Sequence, residues 1–103
     1  MTDTLGEATE LLQQLIRNRC VNDGTPDSGH ETRNVETLAA YLAGPGVEMQ
    51  RYEPHPGRGS LVLRIAGSDT KAPSLHLMGH IDVVPVDANG WKRDASSEVE
   101  SGN

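Results

Sequence analysis

An α/β fold, two helices leading into the strands of a mixed sheet, is predicted by three features of this 103-residue sequence. Apolar residues recur at helical spacing in two early stretches, the period then switches to alternation, and a later run is apolar on both parities. Each element follows from its own residues.

Thr4-Leu5-Gly6-Glu7 fits a capping box, and Leu11, Leu12, Leu15 and Ile16 then fall on one helical face. A first helix from about Leu5 to Arg19 is predicted. The next stretch carries Asn22-Asp23-Gly24, Pro26 and Gly29, whose turn chemistry makes it a loop. Ser28-Gly29-His30-Glu31 reads as a second capping box, with Val35, Leu38, Ala39 and Leu42 at i, i+3, i+4 and i+7. This second helix runs to about Ala43 and stops at Gly44-Pro45-Gly46.

Val47 and Met49 alternate with Glu48 and Gln50, which predicts a short edge-like strand ending before Pro54-His55-Pro56-Gly57. Leu61, Leu63 and Ile65 alternate with Val62, Arg64 and Ala66 and mark a second strand. Leu75 to Pro85 is apolar apart from His76, His80 and Asp82, and such a run suits a strand buried on both faces at the centre of the sheet. Residues 96–103 are polar and without periodicity.

The core must be thin. Leu, Ile and Val make about a fifth of the chain, Phe is absent, and only three aromatics add bulk. A net charge of -6, with no basic cluster, excludes nucleic acid and anionic membranes as expected partners. No apolar run approaches the roughly 20 residues that span a bilayer, and residues 1–10 have no signal-peptide pattern. A cytoplasmic protein is expected. The single Cys20 forms no internal disulfide, which agrees with a reducing compartment, and it reads as a small buried hydrophobe.

In an extended chain residues i and i+2 share a face, so His80 and Asp82 project together near the carboxyl end of the third strand. A neutral imidazole is a common metal ligand, and a carboxylate beside it can fix the ring. By spacing alone, a structural hydrogen-bonded pair is the plainer reading. His76 would join His80 on one face of a helix, but Gly79 and the β-branched tail argue for a strand, where four residues span about 13 Å. His76 is therefore expected to be packed or hydrogen-bonded within the strand. His30 reads as a solvated residue of a helix first turn, His55 as an exposed loop residue, Asp87 as a turn residue, and Glu98 with Glu100 as a solvated tail.

The wider string Gly79-His80-Ile81-Asp82-Val83-Val84-Pro85, followed by Gly90-Trp91 and Asp94, resembles a segment of the zinc metallopeptidases of the aminoacylase, acetylornithine deacetylase, succinyl-diaminopimelate desuccinylase and carboxypeptidase G type. Those enzymes carry their first metal ligand there. The two preceding helices and strands also match the start of that family's catalytic domain. The resemblance thus implies the N-terminal part of a zinc-exopeptidase-like catalytic domain over residues 1–103, incomplete and without the lid domain through which family members dimerise.

By that resemblance His80 is a metal ligand, and Asp82 is the acidic residue that steadies the ligand imidazoles and counts as catalytic. The implied cofactor is a pair of Zn or Co ions with a bridging water, and the implied substrate is a small N-acyl amino acid or peptide whose amide bond is hydrolysed. Trp91 and Asp94 match the loop after the strand, where they pack and cap.

Two departures accompany the match. Ala95-Ser96 stand where the family has Pro-Phe, and Asn103 falls short of the family's Gly-Arg-Gly-x-x-Asp segment, the bridging carboxylate and the general-base Glu. The expectation is an inactive N-terminal fragment, with a homodimer formed only if a lid domain is present. The rival reading is a non-catalytic binding module that retains part of the fold and pairs through exposed strand edges.

Overall fold

A computed structural model describes residues 3–90. It contains helices α1 (Thr4–Arg17) and α2 (Thr32–Leu42), strands β1 (Val47–Tyr52) and β2 (Ser60–Ile65), and a short 3-10 turn at Ala88–Gly90. Trp91, Asp94, Ala95, Ser96, Glu98 and Glu100 lie outside the described residues.

Helix α1 starts one residue earlier than its pattern suggests, because Asp3 rather than Thr4 is the cap. The Leu5 amide donates to Asp3 Oδ1 at 3.2 Å, which satisfies one of the free amides of the first turn. The helix ends where Arg19 enters the left-handed region at φ 53° and its amide turns back to the Ile16 carbonyl. Leu11, Leu15 and Ile16 are half-buried, whereas Leu12 is exposed.

Helix α2 is the buried helix. Asn34, Val35 and Ala39 face inward, and Val35, Ala39 and Cys20 form the apolar centre of the described residues. The expected second capping box does not form, since Glu31 gives no side-chain cap and Ser28 bonds within its own loop instead. Tyr41 Oη donates to Glu7 at 2.7 Å and ties the two helices together.

β1 and β2 pair antiparallel, with Met49 opposite Leu63 and Arg51 opposite Leu61. Val47, Met49, Leu61 and Leu63 are half-buried, consistent with one sheet face turned to α2. Polar contacts fix this layer: Arg51 pairs with Glu36 at 2.9 Å, and Thr32 Oγ1 donates to Glu53 at 2.7 Å. The helix also holds the strand-connecting turn by backbone, because the Thr32 amide donates to the Gly57 carbonyl.

The third strand expected over Leu75 to Pro85 is not formed. Among the described residues the sheet has two strands, and this run makes one isolated parallel bridge, Val21 with Val83, besides side-chain hydrogen bonds at Ile81 and Asp82. Leu75, Leu77 and Met78 are 85, 81 and 87% exposed. The reason is pairing: a strand exists only where a neighbour takes up its backbone groups, and no described strand runs beside residues 75–80. His76 is accordingly exposed, not packed in a strand. The result is a small α/β layer with an antiparallel two-stranded sheet in place of the expected mixed one.

Candidate functional site

The site is built where residues 81–83 pass the loop after α1. The Val83 amide donates to the Cys20 carbonyl at 2.9 Å, and the Asn22 amide donates to the Val83 carbonyl at 2.8 Å. These two bonds hold the chain extended at the position where the sequence places its acidic residue.

Asparagine side chains do the rest. Asn22 Nδ2 donates to Asp82 Oδ2 at 2.9 Å. Asn34, buried in α2, donates from Nδ2 to the Ile81 carbonyl at 2.9 Å. Both amides are held from behind. Asn22 Oδ1 accepts from the Gly24 amide at 2.9 Å and from Ser28 Oγ at 3.4 Å, and Asn34 Oδ1 accepts from Asn18 Nδ2 at 2.8 Å. An amide whose oxygen already serves donors presents its nitrogen to the other side, so each asparagine has one orientation that satisfies it.

An ion pair between the buried Glu31 and the half-buried Arg58 stands nearby. Arg58 Nε donates to Glu31 Oε2 at 2.7 Å, and these side chains are only 23% and 10% exposed. The hydrogen bond to Glu31 pushes the Arg58 pKa up, with the Asp82 carboxylate adding in the same direction, so the guanidinium lies within electrostatic reach of the site. Cys20 is buried beside it and its Sγ donates to the His30 carbonyl at 3.2 Å. Burial pushes the Cys20 thiol pKa up, which keeps it protonated.

His80 sits on the exposed side. It lines an open groove of about 290 Å³ whose apolar wall is Leu38, Leu61 and Leu63, with Ile81 and Ser60 beside them. No hydrogen bond joins His80 to Asp82 among the described residues; the carboxylate turns to Asn22 instead. Among the described residues no three His, Cys, Asp or Glu side chains converge to hold a metal ion. His80, with its exposed ring, and Asp82, with a fixed carboxylate, therefore fit one arm of a metal site and not a closed one.

The remaining candidates are placed plainly. Asp87 caps its own turn, accepting from the Asn89 amide at 3.0 Å. His55 pairs with the exposed Asp27 at 3.2 Å. His30 is exposed at φ 52°, just ahead of Glu31 at the cap position of α2 rather than inside its first turn. Sequence reasoning missed Asn18, Asn22 and Asn34. Asn22 was visible only as a turn residue, and the sole signal for Asn34 was a polar residue directly beside the apolar positions of α2.

Comparison with known proteins bears on this segment. The chain is similar to an acetylornithine deacetylase. Over 82 residues, 80% of this chain, it is 33% identical to acetylornithine deacetylase from Edwardsiella ictaluri (strain 93-146), of which the match covers 21%. The chain thus spans about a fifth of the length of that curated relative. No family model matches, and no solved structure matches. No helix among the described residues is long and apolar enough to cross a membrane.

Proposed function

We propose that these residues form the opening part of the catalytic domain of a metal-dependent hydrolase that cleaves the amide bond of N-acyl amino acids or peptides. The observation that carries this reading is the Gly79-His80-Ile81-Asp82 segment with its carboxylate held by Asn22, in a chain similar to an acetylornithine deacetylase. His80 is the first metal ligand. Asp82 steadies the ligand imidazoles, and the ions, zinc or cobalt, supply an activated water and a polarised carbonyl. In this reading the remaining ligands and the general base are residues other than His80 and Asp82.

The test begins with the DNA after the Asn103 codon. A frame encoding Gly-Arg-Gly-x-x-Asp and further His and Glu residues is expected, and its product should hydrolyse acetylornithine or a related N-acyl amino acid only with zinc or cobalt, losing turnover in His80→Ala. A full-length product without metal-dependent turnover on any N-acyl amino acid or peptide overturns the reading. A frame that ends, with the 103-residue chain a stable folded monomer in sedimentation, favours the non-catalytic binding module instead.

A further inference from the structure

The described asparagines sit in unlike surroundings. Asn34 is buried in α2, and Asn18 and Asn22 commit their side-chain nitrogens to Asn34 Oδ1 and Asp82 Oδ2. Asn89 is exposed and precedes Gly90, the one Asn-Gly pair in the chain. Nothing crowds the Gly90 nitrogen, because glycine has no side chain and even a Cβ built there would meet no described atom within 4 Å. The pair lies in the single 3-10 turn Ala88–Gly90, and one residue engages both of its backbone amides. Asn89 donates to Asp87 Oδ1 at 3.0 Å, and Gly90 donates to the Asp87 carbonyl at 3.1 Å. Asp87, Asn89 and Gly90 are all exposed, so this turn opens at little cost. The Asp-Gly pair at Asp23–Gly24 is closed more firmly. There the Gly24 amide donates to Asn22 Oδ1 at 2.9 Å, and the Thr25 amide and hydroxyl both bond Asp23 Oδ1, at 2.9 and 2.6 Å.

We propose that Asn89 is a site of spontaneous deamidation and that Asp87 gates it. When the turn opens, the Gly90 nitrogen loses its proton to solvent base and attacks Asn89 Cγ. The new N–Cγ bond replaces the Cγ–Nδ2 bond, and Nδ2 takes up a proton and leaves as ammonia. A cyclic imide remains. Water then adds to one of its two carbonyls. Breaking the N–Cγ bond gives aspartate, and breaking the bond to the backbone carbonyl gives isoaspartate. The net change converts an amide and water into a carboxylate and ammonium, with nothing oxidised or reduced. Either product adds negative charge beside Asp87 in a chain of net charge -6. Isoaspartate also routes the main chain through the side chain, which removes the geometry of the turn. Neither His80 nor Asp82 takes part, so the outcome does not bear on the hydrolase reading.

The 103-residue chain is incubated at mildly alkaline pH, in buffer and in urea, and then digested with trypsin. Peptide 72–92, which carries Asn89, is followed by mass spectrometry after chromatographic separation of its aspartyl and isoaspartyl forms. Asn89 is expected to convert to both forms, ahead of Asn18, Asn22 and Asn34, and faster in urea than in buffer. Asp87→Ala removes the Oδ1 acceptor. It should speed conversion in buffer roughly fivefold, the equilibrium factor of one lost hydrogen bond, and leave the rate in urea unchanged. Gly90→Ala should lose most of the conversion in both solvents without lowering the melting temperature, because its Cβ enters open space.

Conversion at Asn89 no faster than at the other three asparagines overturns the proposal. So does equal conversion in Gly90→Ala, which would mean direct hydrolysis of the side chain. A rate in buffer unchanged by Asp87→Ala overturns the gate. The comparison of Gly90→Ala with the unaltered chain in urea stands whether or not the variant folds.

Discussion

Arg58 donates to one oxygen of Glu31 at 2.7 Å, while the other oxygen, Oε1, is buried and accepts no hydrogen bond from the described residues. The pair joins the β1–β2 turn to the start of α2, and it stands against Gly29, which adopts φ +87°. A Cβ at Gly29 would collide with both the Glu31 carboxylate and the Arg58 guanidinium. A buried ion pair of this kind is a poor source of net stability, but breaking it from one side leaves a charge without its partner.

Arg58→Ala is therefore expected to destabilise the chain, by less than a fully buried pair would cost because Arg58 is partly exposed, and to leave the buried Glu31 carboxylate without its partner. Gly29→Ala should cost about 2 kcal/mol or more, since a left-handed backbone and a displaced ion pair add. Urea unfolding at low and high salt checks both. A loss in Arg58→Ala that disappears at high salt would mean the pair is solvated.

Asn34→Ala removes a buried amide and strips the Ile81 carbonyl and the Asn18 amide of their shared partner. The expected loss is about 2 kcal/mol, with faster hydrogen exchange at Val83 as the segment comes free. A change below about 0.5 kcal/mol would show that Asn34 does not hold this segment.

Cys20 gives a pH dependence whose sign is fixed. Its folded pKa lies above the ordinary value of 9.0, chiefly because burial disfavours the thiolate. The stability this contributes is fully present below that ordinary value and is lost as pH rises through the higher folded value. Unfolding midpoints in urea should thus be independent of this group at neutral pH and fall on the alkaline side, less so in Cys20→Ala. A thiol-reactive disulfide reagent at neutral pH should label Cys20 slowly in the native chain and rapidly in urea.

The run at residues 75–78 should behave as surface. Leu77→Lys or Met78→Lys is expected to change stability by no more than about 0.5 kcal/mol and to reduce self-association in sedimentation. A large destabilisation would show that the run is covered in solution.

The two helices and the β1–β2 hairpin were legible because their signals are local: Val35, Leu38, Ala39 and Leu42 step at the helical period, and Leu61 and Leu63 alternate. Their ends were less so, as the Asp3 cap and the failed cap at Ser28 show, because several residues compete to satisfy the same amides. Residues 75–84 misled for a different reason. Their apolar pattern states what environment the run suits, whereas a strand also needs a neighbour's backbone, which pattern does not supply.

By itself the sequence singled out the candidate pair, His80 and Asp82 two apart in one segment, and showed that the core is thin. Only the tertiary structure decided what holds Asp82. Asn22 and Asn34 lie 60 and 48 positions from it and belong to a loop and a helix with no local signal for that task. A hydrogen bond between side chains that distant leaves no periodicity; it exists because packing α2 against the hairpin and bridging Val21 to Val83 brings the amides within reach.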